Sequence, residues 1–171
     1  MGLGPCAVAY ENQKGGVPMQ VQKLPMSELA AELRNHMENH GSAQLLVVGH
    51  SMVPMLRSGR DRVTLVPAVE APKAGDLIFF QRSAEQLVLH RVIRVDAEGF
   101  LCSGDHQYQL EKVRPEQILA VVTAFERAGK CCSVQKPLYR FYTRCVVVFF
   151  PIRRPFLALR KVAGGLLRRL R

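Results

Sequence analysis

Short runs of apolar and β-branched residues, separated by turn residues, fill the middle of the chain. They are LLVV at 45–48, RVTLV at 62–66, DLIFF at 76–80, QLVLHRVIRV at 86–95, GFLCS at 99–103 and ILAVVTAF at 118–125. Runs of this length, broken by Gly, Pro and Asp, are typical of antiparallel strands. The pattern therefore predicts a mainly β protein, with a small and mostly antiparallel β domain at residues 44–130.

Helical periodicity flanks this β region on both sides. Ser27 is a candidate N-cap, apolar residues then recur every four positions as far as Met37, and Gly41 is a stop signal, which together predict a helix over residues 28–40. Residues 156–170 place apolar positions three and four apart with Arg and Lys between them, which predicts a basic amphipathic helix. The predicted organisation is a loose N-terminal arm (1–26), a helix packed on the core (27–43), the β domain (44–130) and a basic C-terminal tail (131–171).

The formal net charge of +10 is confined to the C-terminal end of the chain. Residues 136–171 contain ten Lys or Arg and no acid, whereas residues 1–135 carry 14 basic and 14 acidic residues. A basic and apolar segment of this kind is typical of helices that lie on an anionic membrane. A partner-binding helix is the second interpretation; a nucleic-acid-binding arm is the third, and no nucleic acid is expected because no base-reading motif occurs.

Cysteine usage and hydropathy indicate where the protein acts. The five cysteines lack CxxC spacing, so we expect reduced thiols, no disulfide framework, no metal site and no cofactor. The longest strongly apolar run, Val146–Ile152, is far shorter than the ~20 residues that cross a bilayer, and the N-terminus shows no secretory signal. We expect a peripheral protein on the cytoplasmic face of a membrane, and not an integral one.

One serine stands where a predicted strand gives way to a turn. Ser51 lies in GHSMVP at 49–54, just before a turn through Ser58 and Gly59. A serine hydroxyl becomes a useful nucleophile only on a rigid support with a base within hydrogen-bond reach. Most serines in turns are caps or solvated hydroxyls, so the surrounding motifs must decide.

Four short motifs follow one another in the chain: SMVP at 51–54, GDLIFF at 75–80, HRVI at 90–93 and GD at 104–105. In this order they resemble the signal peptidase I and LexA-type superfamily of serine peptidases, over roughly residues 44–127. The resemblance implies a small, mostly antiparallel, β-barrel-like peptidase core with Ser51 as nucleophile. It also implies that His90 is the general base, at a position where most bacterial members have lysine and the eukaryotic and archaeal type has histidine.

A histidine base works best when its second ring nitrogen donates to a carboxylate. The resemblance offers two candidates, Asp105 in the second Gly-Asp pair and Glu111 six residues later, and it favours Asp105. It implies substrate-binding roles for Gly49, where many bacterial members place a serine donor, and for Met52 in the substrate groove. Asp76 is interpreted as a structural residue that holds the turn before its strand.

The leading hypothesis is a serine endopeptidase that cleaves leader or signal segments of peptide and protein precursors through a Ser-His acyl-enzyme mechanism. A LexA-like autoproteolytic regulator is one alternative, but it would need an N-terminal helix-turn-helix and an Ala-Gly cleavage site before Ser51. Residues 1–43 have room for one good helix, and no Ala-Gly precedes Ser51. The other alternative is a non-catalytic β module that docks on a membrane or a protein.

Overall fold

The computed structural model describes residues 9–10 and 26–152. Two α-helices, one short 3-10 helix (Pro115–Gln117) and nine strands occur within these residues. In chain order they are β1 (Ala9–Tyr10), α1 (Met26–His40), β2 (Ala43–Leu46), β3 (Arg62–Val66), β4 (Leu77–Ser83), β5 (Gln86–Asp96), β6 (Gly99–Ser103), β7 (Glu111–Val113), β8 (Ile118–Arg127), β9 (Lys130–Ser133) and α2 (Pro137–Val148).

The nine strands form one sheet, and every pair of neighbours is antiparallel. Their order is β1-β2-β3-β8-β4-β5-β6-β7, and β9 pairs with β8 beside this path. The predicted mainly β, antiparallel fold is confirmed. Within residues 9–10 and 26–152 the sheet does not close on itself, because its two end strands, β1 and β7, do not pair, so barrel-like is a loose description.

Two apolar clusters pack on the sheet. The larger one contains Leu33 and Met37 of α1 together with Leu45 of β2 and Leu65 of β3. The predicted short N-terminal helix is confirmed. The smaller cluster lies on the other side of β5 and includes Phe80, Val88, Val92, Phe100 and Val113. Because side chains alternate along a strand, β5 contributes Leu87 and Leu89 to the first cluster and Val88 and Val92 to the second.

The six predicted strands all exist. β3 and β6 begin and end where their patterns predict, and the others differ by a few residues at their ends. Three short strands, β1, β7 and β9, were not predicted, because two to four residues are too few to show an alternation. The predicted helix over residues 156–170 lies outside the described residues.

Helix α2 was also not predicted, because its VVV run is richer in strand-forming than in helix-forming residues. Pro137 stands at its first helical position, where the fixed φ of proline favours helix initiation. The helix packs on the larger cluster through Tyr139 and Tyr142, and Val146 and, just beyond the end of the helix, Phe150 are buried. No helix within residues 26–152 is both long and apolar enough to cross a lipid bilayer.

Candidate active site

Ser51 lies in a loop that is closed by hydrogen bonds at its base. The N–H of Val47 donates to the carbonyl of Asp61 at 2.8 Å, and the N–H of Gly59 donates to the carbonyl of Val47 at 2.9 Å. The buried Asp61 carboxylate also accepts the N–H of Arg57 at 2.8 Å. This bonding gives the serine the rigid support that a nucleophile needs.

The loop after β6 packs directly against Ser51. The N–H of His106 donates to the Ser51 carbonyl at 2.8 Å. A Cβ on Gly104 would lie 2.5 Å from that carbonyl oxygen and 2.9 Å from the Cβ of Ser51, so only glycine fits there. The residue before Gly104, Ser103 of β6, pairs with Arg91 of β5, and Arg91 is the residue after His90. The Gly104 contact thus places Ser51 beside the strand that carries the predicted base.

His90 is buried, with 2% of its surface exposed, on the face of β5 that carries Val88 and Val92. The ring of Phe80 meets the imidazole edge to face, with 6.1 Å between centroids. Nδ1 of His90 is in ion-pair contact with a carboxylate oxygen of Glu111 on β7. The contact is close but poorly aligned, since Nδ1 has no hydrogen-bond partner of acceptable geometry among the described residues.

The second ring nitrogen, Nε2, is the one left for the nucleophile. No hydrogen bond joins Ser51 Oγ to the imidazole within the part of the chain that the structure describes. Catalytic hydrogen bonds are often long or misaligned before substrate binds. The loop and strand therefore bring Ser51 and His90 into the same region without a direct hydrogen bond between their side chains in the described part of the chain.

Glu111 is fixed from two sides. Its carboxylate contacts His90 and accepts two hydrogen bonds from the Arg82 guanidinium, at 2.7 and 2.8 Å. Burial acts to raise the pKa of Glu111, but the contacts with His90 and Arg82 outweigh burial and lower the pKa to about 2. The carboxylate is therefore charged at neutral pH, as the partner of a histidine base must be.

Asp105 does not accompany His90, which corrects the assignment favoured by the sequence. Both of its oxygens accept hydrogen bonds from the guanidinium of Arg91, each at 2.8 Å. The side chains of Arg91 and Asp105 are fully buried. Nη1 of the Arg91 guanidinium also donates a hydrogen bond to the backbone carbonyl of Gly75 at 2.8 Å. A buried guanidinium needs a carboxylate partner, and Asp105 is committed to it. Glu111, the alternative candidate, takes the position beside the histidine.

Helix α2 completes the surroundings of this buried ion pair. Arg91 donates to the hydroxyls of Tyr139 at 3.2 Å and Thr143 at 3.1 Å, and Tyr142 donates to Asp105 at 3.0 Å. Sequence reasoning missed these roles and treated residues 131–171 as a tail. The available signal was Arg91 itself, a cation between apolar residues in the middle of a strand, which must find a buried partner.

The two predicted substrate-binding residues lie on either side of Ser51 in its loop. Gly49 has a φ of 93° and its N–H donates to Ser58 Oγ at 3.1 Å. Met52 is buried and lines a small cavity of about 30 Å³ together with Ser51, Leu87 and Leu89. The cavity lies between β2 and β5. A larger groove of about 820 Å³ between residues 66–77 and α2 contains neither Ser51 nor His90.

Two further groups that could carry chemistry, Cys102 and Asp76, have other roles. Cys102 lies opposite Glu111 in the sheet, and burial, followed by the Glu111 charge, raises the pKa of its thiol to about 12. It therefore stays protonated and does not compete as a nucleophile. The Asp76 carboxylate accepts the N–H of Lys73 at 2.8 Å, as expected for a turn residue. Among the described residues, no three potential metal ligands come together.

The site thus contains Ser51 in a rigid loop, the buried His90 in the same region and the charged carboxylate of Glu111 in contact with Nδ1 of His90. Such a set can perform nucleophilic acyl transfer. Comparisons with protein-family models, with characterised proteins and with solved structures found no match to this chain.

Proposed function

We propose that the protein is a serine endopeptidase of signal-peptidase-like type that cleaves leader or signal segments from peptide and protein precursors. Ser51 is the nucleophile, His90 the general base and Glu111 the carboxylate that orients the imidazole. The observation that carries the proposal is the His90–Glu111 contact on the strand next to the Ser51 loop. A buried histidine in ion-pair contact with a charged carboxylate is the arrangement that prepares Nε2 to accept a proton.

The reaction proceeds in two halves. Ser51 Oγ attacks the scissile carbonyl while His90 takes its proton, and the resulting oxyanion is stabilised by the backbone N–H of Ser51. The C–N bond then breaks, and His90 returns the proton to the leaving amine. A water molecule, deprotonated by His90, hydrolyses the acyl ester and restores the Ser51 hydroxyl. Glu111 stabilises the imidazolium that forms in both halves.

Substrate selection follows from the cleft between β2 and β5. Pairing of β5 with β6 begins at Arg91, so the edge of residues 86–90 opposite β4 has no strand partner among the described residues. An extended peptide can add to this edge by main-chain hydrogen bonds. The adjoining cavity of about 30 Å³ has room for about two water molecules, which favours small side chains near the cut.

The proposal places the enzyme peripherally at the cytoplasmic face of a membrane. Residues 136–171 are basic without a single acid, which suits an anionic lipid surface. The four described cysteines form no disulfide, as is usual in a reducing compartment. Precursors that carry apolar leader segments would be concentrated at the same surface.

The direct test is cleavage of candidate leader peptides by wild type, Ser51→Ala and His90→Ala, followed by mass spectrometry. We expect cleavage at one site by wild type and none by either variant. Ser83→Ala is a matched control, because Ser83 is an exposed serine at the end of β4. Equal cleavage by all four proteins would refute the assignment.

A serine-reactive phosphonate provides a test that does not require knowledge of the substrate. We expect intact-mass analysis to show one adduct on wild type and on Ser83→Ala, and none on Ser51→Ala. Absence of any adduct on wild type would instead favour the non-catalytic β module.

A further inference from the structure

Helix α2 presents three distinct faces. The face toward the core carries Tyr139, Tyr142 and Thr143, which bond the Arg91–Asp105 pair, and the buried Val146. These four positions recur at three- and four-residue spacing and so lie on one side of the helix. Because this side is anchored to the sheet, the directions of the other two faces are fixed.

A second face of α2 is apolar and exposed. Leu138, Phe141 and Val148 are exposed to 81%, 67% and 67%, and their spacing of three and seven residues aligns them. Phe149 and Ile152, at 55% and 70%, extend the apolar surface past the end of the helix. Five exposed large apolar side chains on one short segment are uncommon on a protein surface and indicate a site of interaction.

The third face is basic. Arg140 and Arg144 are exposed one turn apart, and Lys136 is exposed just before the helix begins. No acidic residue follows Glu126 in the sequence, so nothing nearby along the chain neutralises these cations. A second copy docked through the same patch would bring like charges together, which disfavours a dimer at this surface.

We propose that the exposed apolar and basic faces of α2 bind the surface of an anionic lipid bilayer. The apolar face, formed by Leu138, Phe141, Val148, Phe149 and Ile152, enters the headgroup and acyl boundary, while Lys136, Arg140 and Arg144 contact anionic headgroups. This rests on the peripheral placement proposed above and assigns it to particular residues. It does not depend on the peptidase chemistry.

The experiment is co-sedimentation of the full chain with vesicles of phosphatidylcholine alone or with about one third phosphatidylserine. We expect binding only to the anionic vesicles, weaker at high salt. Two double variants should each bind roughly tenfold or more weakly: Leu138→Ser/Phe141→Ser and Arg140→Gln/Arg144→Gln. The first removes apolar area that enters the bilayer, and the second removes two cations, each of which strengthens binding to an anionic surface about fivefold. All these positions are exposed, so circular dichroism and Tm should match wild type.

Matched controls separate this surface from general apolarity and charge. Val95→Ser removes an apolar side chain of β5 that is 47% exposed, and Arg114→Gln/Arg127→Gln removes two exposed cations from the sheet region. Both should bind anionic vesicles as wild type does. Failure of wild type to bind, or equal losses in the controls and in the α2 variants, would overturn the proposal.

Two further outcomes would also contradict lipid binding by α2. Unchanged vesicle binding by both α2 variants would overturn the proposal and assign any lipid affinity to other residues. A concentration-dependent dimer that Leu138→Ser/Phe141→Ser abolishes, without vesicle binding, would show that the patch receives a second copy. Ser51→Ala should bind vesicles like wild type, so failure of the peptidase proposal and failure of the lipid proposal are distinguishable.

Discussion

Replacement of Glu111 by glutamine removes a charge beside His90, the proposed general base, with almost no change in volume. The amide can still contact the imidazole and Arg82, but it cannot stabilise a protonated ring. The wild-type carboxylate contacts His90 and Arg82, and its pKa lies at about 2 instead of 4.5. At about 1.4 kcal/mol for each tenfold change in an equilibrium constant, its environment favours the charged form by about 3 kcal/mol.

Part of this free energy belongs to Arg82. The Arg82 side chain is 43% exposed, and an exposed ion pair contributes up to about 1 kcal/mol. Burial opposes both contacts, so this net value cannot be divided between them. A hydrogen bond to a charged group contributes about 1.5–3 kcal/mol, and we take about 2 kcal/mol for the interaction with the imidazolium, which forms in the transition state. Its loss should lower kcat about 30-fold, with KM nearly unchanged, because the substrate-binding cleft is not altered.

The assay compares kcat for wild type, Glu111→Gln and Arg82→Gln on a leader peptide that wild type cleaves. Arg82→Gln keeps the Glu111 contact with His90 and should lower kcat no more than about fivefold. A kcat for Glu111→Gln within threefold of wild type, in a preparation where Ser51→Ala is inactive, would refute the role given to Glu111.

Three other predictions concern the surroundings of the site. Gly104→Ala would place a Cβ 2.5 Å from the Ser51 carbonyl, and the forced displacement should lower kcat about 100-fold while circular dichroism still shows a folded β protein. Asp105→Asn should lower the free energy of unfolding by about 3–5 kcal/mol in urea titrations, because it leaves the Arg91 guanidinium buried without its charge partner. Because the folded-state pKa of Glu111 is depressed, the stabilising contribution of its carboxylate is present above pH 4.5 and disappears as the pH falls to about 2. Urea titrations at pH 6 and pH 3 should therefore show that the free energy of unfolding falls less in Glu111→Gln than in wild type on acidification.

The carboxylate that contacts His90 illustrates where prediction from the sequence ends. Asp105 and Glu111 are both acids that follow the base-bearing strand, and no local pattern separates them. The register between β5, β6 and β7 decides the matter, because it places Glu111 opposite Cys102 and Ser103 opposite Arg91. Arg91 then takes Asp105 as its partner, and Glu111 is the acid that contacts His90.

The sequence by itself determined the antiparallel β core, helix α1 and the candidate pair Ser51 and His90. These features depend on local alternation, capping residues and short motifs, which are properties of neighbouring residues. Only the tertiary structure decided the carboxylate partner, the packing of Gly104 under Ser51 and the docking of α2 on Arg91 and Asp105. These depend on contacts between residues 14 to 53 positions apart in the chain, whose energies favour burial and charge pairing over any local preference.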